Sequence, residues 1–377
     1  MGRDRPSVAI IGTRGYPSYY GGFETAVRKL APYLVEDGWD VRVYGRPGAV
    51  RLDDPERDER VESVETQGRD SKSLSTLTFG LTACWHAVRH KPDVALVMNV
   101  ANGFWLPLLK LRGIKVVVNV DGIEWHRQKW SRLGKLVFKA GGWFTAKLAE
   151  HLVFDARAIG LYWNVVLGRA GTYIPYGGDA VSDLPWRETE IERNGYVLMV
   201  ARFVPENTVL EFFDAAEQLT RDIDIVIVGS ADPEDPVQVR ATALAAGNDR
   251  VHLLGHVSDD QRLLALWQNA AVYYHGHSVG GTNPALVQAM ALGANIVARD
   301  TVYNREVLDE AGTFFDADTE SITRTVRAAL EPGASRGARA AFRADEKFRW
   351  DHVCAAYAKV LRAQLPARFG PAASDRG

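Results

Sequence analysis

Two glycine pairs in this 377-residue chain stand where an apolar run gives way to a helical pattern. That placement offers backbone N–H groups and the positive end of a helix dipole to an anion, and glycine leaves no Cβ in a phosphate's path. The first pair is Gly21-Gly22, in GTRGYPSYYGGFETAVRKL (12–30), directly after Val8-Ala9-Ile10-Ile11. The second is Gly280-Gly281, in HGHSVGGTNPALVQAMALG (275–293), where Thr282 and Asn283 follow and Pro284 suits a first helical position. Either pair can equally serve only a tight turn. Arg202, in MVARFVPENTVLEFF (199–213), places a guanidinium on a loop after an apolar run, where it can grip phosphate oxygens as a fork. A solvated surface arginine is the alternative. Asp121, Glu124 and His126 share the polar stretch NVDGIEWHRQKWS (119–131), a composition suited to orienting a hydroxyl group or simply to shaping a loop. His275 and His277 have no third metal ligand at suitable spacing, so hydrogen bonding is the expected use. The acids Asp316 and Asp318 fall where a strand pattern ends and a helix begins, as a helix cap would.

These loops need a scaffold. Apolar β-branched runs recur near 7–11, 40–45, 93–97, 114–118, 151–154 and 171–174 with helical patterns between them, which predicts parallel α/β layers. Phe23, Ala26, Val27, Leu30, Ala31 and Leu34 keep the i, i+3, i+4, i+7 stripe of a first helix, closed by Gly38. Leu74, Leu77, Leu81, Cys84, Trp85 and Val88 mark a second helix. From 176 to 194 the pattern lapses into YGGDAVSDLPWRETEIERN, as a connection between domains would. Alternation then restarts at 196–200, 223–229, 251–254, 271–275 and 295–299. Two similar halves on one linker imply a cleft between domains, where ligands commonly sit. The expected division is 1–178 and 179–365, with a tail at 366–377 whose Pro, Gly and Ala content predicts disorder.

Composition excludes several classes. Lys plus Arg (45) nearly cancels Asp plus Glu (47), so no nucleic acid is expected as partner. Cys84 and Cys354 lie far apart and outside any C-x-x-C pair, which suits a reducing cytoplasm rather than a disulfide framework. MGRDRPS lacks the apolar core of a signal peptide, and no run of about 18 residues is apolar enough to span a bilayer. A nicotinamide site fits poorly, because the first loop reads Gly12-x-x-Gly15 and the second strand ends VYGR without an acid for a ribose.

Taken together, the segments 11–25, 121–131, 196–207, 275–290 and 304–307 resemble, in order and spacing, GT-B glycosyltransferases related to family 4, especially a bacterial rhamnosyltransferase-like branch. The resemblance implies an α/β GT-B fold, with two Rossmann-like domains facing each other across a cleft. It implies an acceptor on the first domain and a nucleotide-diphosphate sugar on the second. Gly21 and Gly22 would meet the diphosphate from one side and Arg202 from the other, with Asn207 beside it. Gly280, Gly281, Thr282 and Asn283 would line sugar and phosphate, and the backbone of Gly255, His256 and Val257 would touch the nucleobase. Asp121, Glu124 and His126 would act at the acceptor and Glu306 at the donor sugar. No cofactor beyond the donor and no metal would be required, and the anomeric configuration would be retained, a phosphate oxygen taking the acceptor's proton. The sequence departs from that pattern at Asn207, where the wider family usually has lysine, and at Ser278 and Gln288, where acids are frequent. Gln288 can still hydrogen-bond a ribose, so Gln288→Glu is expected to preserve or strengthen donor binding.

The implied acceptor is a glycan, a lipid-linked sugar or another hydroxyl compound, and the implied location is the cytoplasm, with peripheral contact at the inner face of the cell membrane. Arg127, Lys129, Arg132, Lys135, Lys139 and Lys147, interleaved with Trp130, Phe138, Trp143 and Phe144, can rest on an anionic lipid surface. A core-facing helix with a solvated basic side explains the same residues slightly better. Two rival functions stay open: a non-catalytic sugar-nucleotide binding protein and a sugar-nucleotide epimerase on the same plan.

Overall fold

A computed structural model describes residues 5–19, 21–69, 75–127, 130–366 and 369. The first sheet has seven strands: β1 (Ser7–Ile11), β2 (Asp40–Gly45), β3 (Glu62–Glu65), β4 (Val94–Met98), β5 (Lys115–Asn119), β6 (His151–Phe154) and β7 (Thr172–Tyr173). Their order is β3-β2-β1-β4-β5-β6-β7. The second sheet has six: β8 (Tyr196–Val200), β9 (Asp224–Val228), β10 (Val251–Gly255), β11 (Val272–His275), β12 (Ile296–Arg299) and β13 (Thr313–Phe315), ordered β10-β9-β8-β11-β12-β13. Every pairing is parallel.

The apolar runs become central strands because helices cover both sheet faces, so every side chain along β1 and β4 is buried. Pleating sorts β8 in the same way: Tyr196 and Leu198 join one apolar layer, Val197 and Met199 the other. Strand β3 was not legible as an apolar run, and β13 showed only as the short strand pattern ahead of Asp316. ESVE and TFF lie at or near sheet edges, where short, partly exposed strands need no continuous apolar stretch. In both sheets the strand order reverses direction beside the first strand, between β1 and β4 and between β8 and β11, the place where open α/β sheets open a crevice at the strands' carboxyl ends.

The chain divides into two compact units, 1–175 with 350–377, and 176–349. This corrects the division at 179–365, because the last helix, Trp350–Arg362, belongs to the first unit. Its apolar stripe Val353, Cys354, Tyr357, Ala358 and Leu361 is buried, and Arg362 pairs with Asp37 at 2.8 Å, after the first helix Gly22–Glu36. A terminal helix carries no local signal of which sheet it covers. Most of the tail at 366–377 lies outside the described residues. Among the described residues no helix is long and apolar enough to cross a membrane.

Candidate functional site

In the second unit the loops after β8, β9, β10 and β11 are tied together at the carboxyl edge of the sheet. The Ala201 N–H donates to Val228 O (3.0 Å) and the Gly229 N–H to Gly255 O (2.8 Å), so three strand ends step in line. Gly229, at φ +153°, has no room for a side chain: a Cβ there would lie 1.9 Å from Ala201 O. Sequence reading missed this glycine, although its place directly after IDIVIV was a usable signal. Gly255 is left-handed (φ +65°), His256 is exposed and Val257 is buried against the core.

Arg202 leaves this edge exposed. Its carbonyl accepts from Asn207 Nδ2 (2.8 Å), so buried Asn207 shapes the arginine's loop rather than presenting its amide nitrogen outward. Thr208, left-handed at φ +52°, donates through Oγ1 to Gly276 O (2.7 Å) and accepts from Arg299 Nη1 (2.9 Å). Ser278 donates from N and Oγ to Glu206 O (2.9 and 2.8 Å), and Asn304 Nδ2 donates to His277 O (2.9 Å). Four bonds therefore lock the loop at 276–278 to the loop at 201–208 and to the helix Val302–Leu308, capped by Thr301.

Asn283 caps the helix Pro284–Ala291 by accepting from the Ala285 N–H (3.0 Å), with Pro284 at the first helical position, as the sequence predicts. Gly280 ahead of it is left-handed (φ +101°), Gly281 is half-buried and Thr282 is buried. Glu306 is half-buried and stands fifth in its seven-residue helix, beyond the first turn, so it is not a helix-start acid. Asp318 does cap a helix, accepting from the Ser321 N–H at 2.8 Å.

Gln288 behaves differently from its expected use. Its Oε1 accepts from the Asp179 N–H (3.0 Å) and its Nε2 donates to Asp179 O (2.8 Å), so the amide closes a two-bond pair with the strap that opens the second unit. A carboxylate cannot reproduce that pair, because it only accepts. Gln288→Glu should therefore cost about 1 to 3 kcal/mol of stability at pH 7, with partial recovery near pH 4 where the new acid takes a proton and can donate again. Denaturant midpoints of parent and variant at both pH values check this, and an unchanged midpoint contradicts it.

His275 and His277 stack with ring centroids 4.4 Å apart. Burial, then the neighbouring His277, holds His275 well below the ordinary histidine range. Burial, then the Arg202 charge, holds His277 down at about 4. Both are thus neutral at pH 7. Because the unfolded chain protonates them near pH 6.5 and the folded chain does not, stability falls as pH drops from about 6.5 towards 4. The loss for His277 should be about 1.4 kcal/mol per pH unit at most, and His277→Asn should flatten the pH dependence of the unfolding free energy in that window. An identical slope in parent and variant contradicts the assignment.

In the first unit the loop after β1 begins with Gly12 at φ +97°, where a Cβ would lie 2.3 Å from Met98 O at the end of β4. Glu24, buried in the first turn of the helix Gly22–Glu36, accepts from the Arg14 N–H (2.9 Å) and clips the loop to the helix. Gly21 precedes that helix in extended backbone, φ −171°, and as its N-cap residue makes no side-chain cap bond. Thus Gly12 serves backbone geometry, while the nearest atom to a Cβ at Gly21 would be Glu24 Oε2, at 3.4 Å.

After β5, Asp121 is left-handed (φ +56°), its N–H donating to Asn119 Oδ1 (2.9 Å). Asn119 Nδ2 in turn donates to Tyr357 Oη of the last helix (2.6 Å), a partner invisible in sequence across 238 positions. Glu124 is buried, 2.8 Å from Arg127 Nε, and accepts from Trp130 Nε1 (2.9 Å). It anchors the loop. His126 is exposed and edge-on to Tyr162. Of the three candidates, Asp121 and His126 face outward more than Glu124 does.

Comparison with known proteins fits this geometry. Residues 21–160 match the model of a glycosyl transferase 4-like domain, and 182–343 match that of glycosyl transferases group 1. A curated relative, N,N'-diacetylbacillosaminyl-diphospho-undecaprenol alpha-1,3-N-acetylgalactosaminyltransferase of Campylobacter jejuni, is 26% identical over 230 residues. That match takes in 59% of this chain and only 56% of the relative's length. Among solved structures, sucrose-phosphate synthase from Thermosynechococcus elongatus superposes with a TM-score of 0.76 at 18% identity, over 95% of this chain and 99% of that one. Anabaena Alr3699/HepE in complex with UDP does so with a TM-score of 0.70 at 16% identity, over 95% and 100%. Carrying the 4-like domain on its first sheet and the group 1 domain on its second, the chain belongs to the GT-B glycosyltransferases of group 1, family 4-like type.

Proposed function

We propose that the chain transfers a sugar from a nucleotide-diphosphate donor to a lipid-linked sugar, with retention of anomeric configuration and without a metal ion. The observation that carries this reading is the second unit's carboxyl edge, where Arg202, the Gly229–Gly255 step and the Asn283-capped helix converge at the strand-order switch. As the glycosidic bond to the donor breaks, the diphosphate gains negative charge. Exposed Arg202 and the helix start at Pro284 meet that charge with groups already in place, which lowers the barrier without reorganisation. Neutral His277 adds no competing cation beside Arg202. Gly255, His256 and Val257 take the nucleobase, Gly280 to Thr282 the sugar, and Glu306 a sugar hydroxyl. In the first unit, Asp121 and His126 orient the acceptor hydroxyl, with Glu124 holding their loop; Gly21 and Gly22 serve phosphate. A phosphate oxygen of the leaving group receives the acceptor's proton, so no protein nucleophile is needed.

A lipid-linked acceptor is supported by the relative's printed name, which also makes an N-acetylhexosamine a candidate sugar beside the rhamnose suggested by the sequence motifs. The test is a donor panel incubated with a polyprenyl-diphosphate sugar, with and without EDTA. The expected result is one nucleoside diphosphate released per glycosidic bond formed, insensitive to EDTA, with the donor's anomeric configuration in the product. Release without acceptor modification, or interconversion of the donor sugar, would favour a binding protein or an epimerase instead.

A further inference from the structure

The helices Arg132–Leu148 and Arg157–Leu167 of the first unit expose large apolar side chains that a soluble surface has no use for. On the first, Leu133 (71%), Leu136 (63%) and Trp143 (53%) are exposed; on the second, Leu161 (64%), Val165 (74%) and Val166 (55%). The longer helix faces the core and exposes Arg132, Lys139 and Lys147, as the sequence favours. The structure shows a buried face of Phe138, Gly141, Gly142, Thr145 and Ala146, and a separate apolar set that faces out.

The exposed stripe of the longer helix reads Arg132, Leu136, Lys139, Trp143, Lys147, spaced by three or four residues and therefore on one face. Neither helix contains an aspartate or glutamate, although acids slightly outnumber bases in the whole chain. Apolar anchors among the cations of that stripe, with tryptophan in the row, match the boundary of an anionic bilayer: side chains enter the acyl edge while lysines meet headgroup phosphates. A protein partner would have to supply an acid-rich apolar groove, and nothing in the pattern calls for that directional match.

The same helices carry the acceptor loop. Trp125 packs against Gly142 and Trp163, and its Nε1 donates to Tyr162 Oη (3.1 Å). We infer that the exposed stripe of the longer helix seats the first unit on an anionic lipid surface and so brings the loop at 121–127 to a lipid-linked acceptor. The seating stands on the exposed face alone; its purpose rests on the function proposed above.

Sedimentation of the full chain with vesicles tests it, comparing phosphatidylcholine with phosphatidylcholine containing phosphatidylglycerol. The expected result is at least tenfold tighter association with the anionic vesicles, weakened by salt, and at least tenfold loss in Leu136→Glu/Trp143→Glu. Lys139→Gln/Lys147→Gln should lose the preference for phosphatidylglycerol while keeping the parent's circular dichroism and thermal midpoint. A folded parent that binds neither vesicle overturns the proposal, as does a parent whose self-association is abolished by Leu136→Glu/Trp143→Glu while vesicle binding persists. Transfer to an acceptor in detergent distinguishes the two ideas: vesicle binding without any such transfer defeats the proposed function and leaves the lipid surface standing.

Discussion

Arg202→Ala will bind the donor's nucleotide diphosphate about 10- to 150-fold more weakly, the equivalent of about 1.5 to 3 kcal/mol for a lost hydrogen-bonded charge pair. The fold should not change with it. The side chain is exposed, and the contact that shapes the loop is made by the Arg202 carbonyl, which alanine keeps for Asn207 Nδ2. A second readout is independent of ligand: with the guanidinium gone, His277 loses one cause of its depression and should titrate at higher pH. Calorimetry gives the affinity and the histidine ring resonances give the titration. Unchanged affinity in a folded variant removes Arg202 from the site, whatever the histidine does.

Gly229→Ala will destabilise the chain by about 3 kcal/mol or more, and any folded fraction will bind nucleotide weakly. The new methyl group would lie 1.9 Å from Ala201 O, a backbone atom that cannot swing aside, and φ +153° adds strain for any L side chain. Relief requires moving the residues that carry Arg202, so stability and affinity should fall together. An unfolding free energy within about 0.5 kcal/mol of the parent's, the range expected for neutral surface changes, contradicts the packing described for this edge. Gly38→Ala offers a contrast, since no atom lies within 4 Å of its added Cβ and only its φ of +86° opposes the change.

The legible parts of this molecule are those that a local pattern encodes. Central strands such as VALVM and YVLMV, the helix stripe from Phe23 to Leu34, the Asn283-Pro284 helix start and the Asp318 cap each follow from residues within a few positions of one another. What escaped depends on partners brought by folding. Asn119 meets Tyr357 across 238 positions, and Gln288 meets the Asp179 backbone across 109, which turns an expected ribose ligand into a tie for the strap at the second unit's start. Glu124 reads equally as an acceptor-orienting or a loop-shaping residue in sequence, because Arg127 and Trp130, only three and six residues away, do not declare which way they point. Glycines that shape backbone, such as Gly12 and Gly229, look the same in a string as the glycine pairs proposed to meet phosphate, because the close backbone approach comes from another strand's end.

In the proposed function, the second unit's carboxyl edge holds a nucleoside diphosphate through Arg202. Titration of UDP, GDP, ADP, CDP and dTDP into the parent and Arg202→Ala proteins, followed by calorimetry, tests it most directly. One nucleotide should bind the parent in the micromolar range, with one site per chain and at least tenfold weaker binding to the variant. Failure of all five to bind the folded parent below millimolar concentration, or equal binding to parent and variant, would contradict it.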